Sequence, residues 1–227
     1  MSKSTESCVW YRQMATALSS HILLKAIGTP LFIAIFFGAY LFLLKHPAYA
    51  MTVMPFTALD RMVSFQPSAM PLYVSLWVYV SLPPSLLTVR REMFLYGTAM
   101  AATCVIGLLV FYFWPTAVPV AQIDWALYPS VDYLKSIDAT GNAFPSLHVA
   151  TASFSAIWLN FILRRFSAPR WLLAINWAWC AGILYSTLAT RQHVIVDVIA
   201  GLILGVLVAY ISLRRRAVQT TSSTMND

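Results

Sequence analysis

Two polar residues near the end of the chain, His193 and Asp197, have a spacing that suits nucleophilic catalysis. They stand four positions apart, and residues four apart lie on the same face of an α-helix. The carboxylate can accept a hydrogen bond from one imidazole nitrogen, which fixes the tautomer and leaves the other nitrogen free to attack. The same spacing also fits a polar pair that joins two helices, so both interpretations stay open at this point.

A second polar group lies in the segment 141–148, where Pro145, Ser146 and His148 stand close together. Proline suits the first turn of a helix, because its missing N–H costs no hydrogen bond there. The free N–H groups and positive dipole end of a helix N-terminus suit a phosphate. Ser146 adds a hydroxyl donor, and His148 can protonate a leaving oxygen. Taken alone, these residues favour a capping role.

The composition indicates what must position these residues. The chain has 227 residues, of which 59% are hydrophobic and 10% charged, and its mean hydropathy is +0.71. Soluble domains carry about 25% charged residues, so we predict an integral membrane protein. The net charge of +7 comes from short basic clusters between apolar runs and not from a basic stripe. This pattern argues against nucleic acid as a partner.

Six apolar stretches have about the length that a helix needs to cross the hydrocarbon core. They cover residues 23–44, 69–87, 93–114, 144–163, 171–188 and 194–213. We therefore predict an all-α fold, a polytopic membrane protein with a bundle of six transmembrane helices in residues 23–216. Residues 1–22 are predicted to form a cytoplasmic N-terminal segment, and residues 217–227 a disordered tail.

The basic residues predict the orientation of this bundle. If the N-terminus is inside, the inside ends hold Lys3, Arg12, Lys25, Arg90, Arg91, Arg164, Arg165, Arg170, Arg214, Arg215 and Arg216, and the outside ends hold Lys45, Arg61, Lys135 and Arg191. This positive-inside bias predicts that both termini are cytoplasmic. From the small size we expect a bacterial inner membrane, with the polar groups facing the periplasm or the exterior.

In this topology the two polar groups meet on the outer side, where one opens the fourth predicted helix and the other the sixth. Arg191 stands two residues before His193 and supplies a positive charge for phosphate oxygens. Such a set suits phosphoryl transfer, which needs mainly positioning and charge stabilisation. The sequence lacks a metal-ligand spacing and the Gly-x-Ser-x-Gly motif of serine hydrolases. We expect no metal and no cofactor.

On these residues the chain resembles the type 2 phosphatidic acid phosphatase superfamily. Pro145, Ser146 and His148 match its Pro-Ser-x-His motif, and His193 and Asp197 match the His and Asp of its third motif. The resemblance implies a six-helix membrane core and a phosphohistidine formed on His193. It also implies that Asp197 orients this histidine and that His148 protonates the leaving alcohol.

The chain departs from the superfamily pattern at its basic positions. The third motif begins Ser-Arg, but here Ser186 is followed by Thr187. The first motif, with a Lys and an Arg-Pro, is missing where the sequence reads Pro-Thr-Ala-Val-Pro-Val at 115–120. Arg191 is the best replacement for these phosphate-binding residues, and the other basic residues of the outer loops are Arg61 and Lys135.

The segment 186–193 is similar to the branch related to inositol phosphorylceramide synthase. That branch favours Asn-x-Phe-Pro-Ser-Leu-His and a Thr-basic-Gln-His sequence before the nucleophile. The resemblance implies that Asn142 and Arg191 contact the substrate. An outer segment also resembles that branch, through Leu59, Asp60, Pro67 and Tyr73.

Three functions fit this sequence. With water as the acceptor, the phosphohistidine makes the protein a lipid phosphate phosphatase. With an alcohol as the acceptor, it makes the protein a phosphotransferase that moves a phosphoryl head group. The third function is a catalytically silent lipid-binding or transport protein with the same fold. The expected partners are a lipid phosphate substrate and membrane lipids, and no sequence feature specifies an oligomeric state.

Overall fold

The computed structural model describes residues 3–128 and 141–224, and these parts of the chain are mostly helical. The helices are α1 (Lys3–Ser19), α2 (Ile22–Lys45), α3 (Ala58–Met62), α4 (Met70–Val74), α5 (Leu76–Leu86), α6 (Arg90–Phe113), α7 (Leu147–Arg165), α8 (Arg170–Ala189) and α9 (Ile195–Thr224). Two strands of two residues each, β1 (Thr52–Val53) and β2 (Thr116–Ala117), pair in parallel and join the loops that follow α2 and α6. The predicted helical class is confirmed.

Four helices in the described parts are long and apolar enough to cross a membrane. They are Ile22–Lys45, Arg90–Phe113, Arg170–Ala189 and Ile195–Ala217. The remaining predicted spans correspond to α7 and to α4 with α5, so six crossings and cytoplasmic termini stay predictions. The span predicted at 69–87 is divided at Ser75, whose Oγ donates to Leu72 O at 2.6 Å. Such side-chain bonds compete with the hydrogen bonds of a continuous helix.

Helix α7 forms the centre of the bundle, where it packs against α5, α6, α8 and α9. Two of its hydroxyl groups are satisfied within the helix: Thr151 Oγ1 donates to Leu147 O, and Ser153 Oγ donates to Val149 O, both at 2.8 Å. Because both hydroxyl groups have partners, they add no unsatisfied donor to the centre of the bundle. Its central position explains why α7 lacks the apolar composition of a lipid-facing span.

Two glycines allow α9 to approach α7 closely. A Cβ atom at Gly201 would collide with the Ser146 carbonyl oxygen, and one at Gly205 would collide with Ser153 Oγ. The Gly-x-x-x-Gly spacing is typical of helices that pack this closely. The contact holds the beginning of α7 against the beginning of α9.

The two ends of the bundle differ in their polar contacts. We call the end that carries His148 and His193 the histidine end. At the opposite end, Glu92 of α6 binds Arg165 of α7 and Arg216 of α9, with N···O distances of 2.7 Å for both pairs. This cluster therefore connects three helices.

Helix α9 extends further than the sequence predicts. It continues to Thr224, so helix occupies most of the segment 217–227 that was expected to be a disordered tail. The helix continues because no glycine or proline, the two residues that most strongly disfavour a helix, follows Gly205.

Candidate active site

The beginning of α7 is fixed by Ser146, its N-cap residue. Ser146 Oγ accepts the N–H of Val149 at 3.3 Å, and the N–H of Ser146 donates to Asp197 O at 3.0 Å. The helix therefore begins at Leu147, and the expectation that Pro145 lies in its first turn is wrong. The serine hydroxyl takes up a free N–H group of the first turn, which leaves the proline in the loop before the cap. The capping role of Ser146 is confirmed.

At the beginning of α9, His193 and Asp197 come together in a geometry that differs from the predicted one. His193 precedes the helix, which begins at Ile195, and Asp197 stands in the first turn. Asp197 Oδ2 accepts the N–H of Val194 at 3.0 Å, as the acidic residue of a capping box does. The helix dipole also stabilises a carboxylate at this position. His193 therefore lies in the loop before α9 and Asp197 lies in the first turn of the helix, so the two residues do not share one helical face.

The distance from His193 Nδ1 to Asp197 Oδ2 is 3.5 Å, and the two side chains are 9% and 0% exposed. Asp197 Oδ1 and His193 Nδ1 are buried without a hydrogen-bond partner among the described residues. An N–H···O bond is usually 2.7–3.2 Å long, but catalytic hydrogen bonds are often longer in the absence of substrate. At 3.5 Å, the two atoms therefore lie just beyond the usual hydrogen-bond range in this structure.

His148 lies in the first turn of α7 and is held by two aromatic residues. Its ring stacks on Tyr73, with centroids 4.1 Å apart and an interplanar angle of 16°. Tyr73 Oη lies 3.4 Å from His148 Nδ1, and Trp77 contacts the ring edge-on at 5.8 Å. His148 Nε2 is buried without a partner in the described parts of the chain. The rings of His148 and His193 are 6.3 Å apart.

The roles of Tyr73 and Trp77 beside His148 do not follow from the sequence. Tyr73 belongs to the segment that resembles a branch of the superfamily, and Trp77 belongs to no recognised motif. The available signal is their spacing of four residues, which places two aromatic side chains on one face. That spacing is equally typical of ordinary core packing.

The loop between α8 and α9 is organised by the backbone of Thr187. Its carbonyl accepts the N–H groups of Gln192 and His193, both at 3.1 Å, and its hydroxyl donates to Leu184 O at 2.7 Å. Thr187 is fully buried, so a neutral side chain occupies the position where the third motif has arginine. Gln192 Nε2 is buried with no partner in the described residues. This amide is a further polar group of the site, and its only sequence signal is its place beside His193.

Arg191 connects the loop before α9 to the segment 56–66 in the loop after α2. Because that loop is predicted to lie outside, we call the segment 56–66 the outer segment. Its guanidinium donates to Asp60 O at 3.2 Å and to Val63 O at 2.7 Å, and it lies over the ring of Phe56 at 5.2 Å. Arg191 has a positive φ of 58°, which is uncommon for a residue other than glycine. These contacts give Arg191 a structural role, so the predicted phosphate contact would have to use its remaining N–H groups.

Asp60 caps two helices with one carboxylate. Its Oδ2 accepts the N–H of Thr57 at 2.7 Å and completes a capping box at α3. Its Oδ1 accepts the N–H of Ile195, the first residue of α9, at 2.7 Å. Asp60 is 2% exposed, and a second bond from Gln66 N to Ala189 O supports the same contact. The outer segment therefore fixes the loop that carries His193.

The structure places the other predicted contacts as follows. Asn142, predicted to touch the substrate, is buried and donates from Nδ2 to Tyr40 O at 3.2 Å, so it anchors the loop before α7. Arg61 is exposed on α3, and Lys135 lies outside the described residues. Within residues 3–128 and 141–224, no three His, Cys, Asp or Glu residues are grouped as metal ligands would be.

The fold and the site define a helical membrane protein with two histidines at the adjoining ends of neighbouring helices. The PAP2 superfamily model matches residues 91–220, more than half of the chain, and this region includes His148, His193 and Asp197. The chain therefore belongs to the PAP2 superfamily, which supports a phosphatase-like function on lipid phosphates. The branch related to inositol phosphorylceramide synthase stays a prediction. No curated protein and no solved structure matches the chain.

Proposed function

We propose that the protein is a membrane lipid phosphate phosphatase that acts through a phosphohistidine at the outer membrane face. The observation that carries this proposal is the meeting of His193, Asp197 and His148 at the starts of α7 and α9, with the two imidazole rings 6.3 Å apart. A phosphoryl group between these rings can be attacked from one side while its leaving oxygen takes a proton on the other.

The reaction divides into two steps. In the first, His193 Nε2 attacks phosphorus, the N–P bond forms and the P–O bond to the lipid breaks. His148 donates its proton to the leaving oxygen, which departs as an alcohol, while Asp197 stabilises the Nδ1–H of His193. In the second step, a water molecule attacks phosphorus, His148 takes the proton from this water, and the N–P bond breaks to release inorganic phosphate.

The phosphate oxygens need hydrogen-bond donors, because the usual basic residues of the superfamily motifs are replaced. Gln192 Nε2 suits this role, since it is buried beside His193 without a partner among the described residues. The N-terminal N–H groups of α7 add donors and a positive dipole end. Arg191 adds positive charge from the same loop. The clamp we propose thus depends more on neutral donors than on several cations.

A phosphotransferase is the second candidate, with an alcohol in place of water in the second step. The contact of the outer segment with the loop before His193, through Asp60 and Arg191, favours it, because this segment can cover an acceptor beside the nucleophile. The sequence of that loop also resembles the inositol phosphorylceramide synthase branch.

One experiment distinguishes the candidate functions. The purified protein is incubated with a panel of lipid phosphates, with and without sugars, inositol and other alcohols, and both inorganic phosphate and the phosphate ester of the added alcohol are measured. Release of inorganic phosphate alone supports the phosphatase, and formation of a phosphate ester of the added alcohol supports the phosphotransferase. If neither product forms while a lipid phosphate still binds, the protein is a catalytically silent lipid-binding protein and the proposal is wrong.

A further inference from the structure

A half-open cavity lies between α2, α4, α5, α6 and α7. Its volume is about 490 Å³, within the range of roughly 300–1,000 Å³ that is typical of ligand sites. Apolar and aromatic side chains form most of its wall, and His148, Tyr73 and Trp77 form its wall at the histidine end. Resting on the function proposed above, we propose that this cavity holds the hydrocarbon chain of the lipid phosphate substrate.

The first argument is the position of His148 on the wall of the cavity. In the proposed reaction, His148 gives its proton to the oxygen that joins phosphate to the lipid. The lipid part of the substrate must therefore leave the site on the side of His148 and not on the side of His193. His193 does not line the cavity, so the cavity begins on the side where the leaving alcohol has to lie.

The second argument is the length of the cavity. Along α2, its lining residues run from Tyr40 to Leu24, which corresponds to about 24 Å at the helical rise of 1.5 Å per residue. The hydrocarbon core of a bilayer is about 30 Å thick, so the cavity follows most of this depth. The far end is marked by Lys25, whose Nζ donates to Ser85 O at 2.8 Å and to Ala17 O at 2.6 Å. An extended chain fits this shape better than a compact polar ligand.

The third argument is the way in which α2 covers the cavity. Helix α2 packs against α5 and α6, yet none of its residues is fully buried. It thus forms a wall that borders both the cavity and the surrounding lipid. A chain from the bilayer can reach the cavity past this helix without crossing a polar surface.

Two glycines offer a way to shorten the cavity. Gly28 of α2 and Gly97 of α6 both line it, and a Cβ atom at either position would meet no atom within 4 Å. Gly28 lies twelve residues before Tyr40, about 18 Å away along the helix axis, so a larger side chain there leaves the region around His148 unchanged. Gly38 of α2 has equally open surroundings but does not line the cavity. It therefore provides the matched control.

The test compares lipid phosphates with long and short chains in the variants Gly28→Leu, Gly97→Leu and Gly38→Leu. For a long-chain substrate, kcat/KM should fall about tenfold in Gly28→Leu and Gly97→Leu, the loss expected when about two methylene groups are kept out of the cavity. A short-chain substrate should be turned over at the wild-type rate, and Gly38→Leu should match the wild type with both substrates. An unchanged ratio of long-chain to short-chain turnover in both cavity variants would overturn the proposal.

A second measurement does not depend on turnover. A long-chain lipid phosphate with a photoreactive group at the end of its hydrocarbon chain is added to vesicles that contain the wild-type protein or the His193→Ala variant. The vesicles are then irradiated. The adduct should form on residues 24–33 or 93–101, and the unlabelled lipid phosphate should compete for it. Adducts on the outer surface of the bundle would contradict the proposal. Equal labelling by a photoreactive hydrocarbon probe that lacks the phosphate group would also contradict it. If the wild-type protein is labelled at these residues but releases no phosphate from the lipid, the proposed function is wrong, while the proposed binding site for the hydrocarbon chain is supported.

Discussion

The two ends of the bundle differ in whether their buried polar groups have partners. At the end opposite the histidines, Glu92 binds two arginines, and Lys25 donates to three acceptors. At the histidine end lie all the buried side-chain nitrogen and oxygen atoms that lack a partner in the described residues. They belong to His148, Gln192, His193 and Asp197. A buried polar atom without a partner costs about 1–3 kcal/mol, so one end favours stability and the other retains groups for chemistry.

Removal of His193 tests this difference between the two ends most directly. We expect His193→Ala to lower turnover of a lipid phosphate about 10⁴-fold or more, because the nucleophile is lost, while the melting temperature stays close to that of the wild type. Initial rates and capture of a labelled phosphoenzyme measure the effect. His46→Ala, which changes an exposed histidine at the end of α2, is the control. Activity within tenfold of the wild type in His193→Ala would place the nucleophile elsewhere.

The next largest effect should come from His148→Ala. Loss of a general acid typically costs 10²–10⁴-fold, so we expect a decrease of about 10³-fold with an alkyl phosphate ester. The rate of phosphoenzyme formation, measured separately from steady-state turnover, should decrease much less with a nitrophenyl phosphate ester, because its leaving group needs no proton. The two substrates are compared on the same protein preparation. Equal losses in this first step with both substrates would show that His148 is not the general acid.

A smaller effect should follow from Gln192→Leu, which removes the proposed phosphate donor and keeps its approximate volume. Loss of one hydrogen bond to a charged ligand corresponds to about a tenfold weaker affinity, and inhibition by vanadate reports it. The melting temperature should not fall, since Gln192 Nε2 has no partner among the described residues. Gln122→Leu, on an exposed loop, is the control. Unchanged inhibition would leave Arg191 as the principal contact of the phosphate.

The smallest effect on turnover, and the largest on stability, should follow from Glu92→Ala. Removing one partner of a buried ion pair costs 3–5 kcal/mol, and the partial exposure of Arg165 and Arg216 reduces this to about 2 kcal/mol. The melting temperature should decrease clearly, with turnover per folded molecule within about twofold of the wild type. Arg91→Ala changes the exposed neighbour and serves as the control. A large loss of turnover in folded Glu92→Ala would mean that the two ends are not independent.

Long apolar runs made much of the fold predictable from the sequence. The predicted spans 23–44, 93–114 and 171–188 agree with α2, α6 and α8 to within three residues, because a continuous apolar surface requires a helix in lipid. The break at Ser75 and the continuation of α9 were not predictable in this way. Both depend on local hydrogen bonds and helix propensity, which hydropathy does not report.

The site was predictable only where its residues are close in the sequence. The spacing of His193 and Asp197 indicated their contact, although the cap geometry places His193 before the helix. The stacking of His148 on Tyr73 joins residues 75 positions apart, and the bond from Ile195 to Asp60 joins residues 135 positions apart. The periodicity of a single sequence does not predict such contacts, because they arise from the packing of segments that are distant in the sequence.

Asp60 also determines how much of the chain is needed to build the site. The region 91–220 that the family model matches contains both histidines, but the carboxylate that caps α9 and the carbonyl groups that hold Arg191 lie before it. The aromatic ring that stacks on His148 lies before it as well. The region that the family model matches therefore does not include all the residues that hold the site in place. If the loop before His193 were exchanged with that of a relative, the outer segment would have to be exchanged with it.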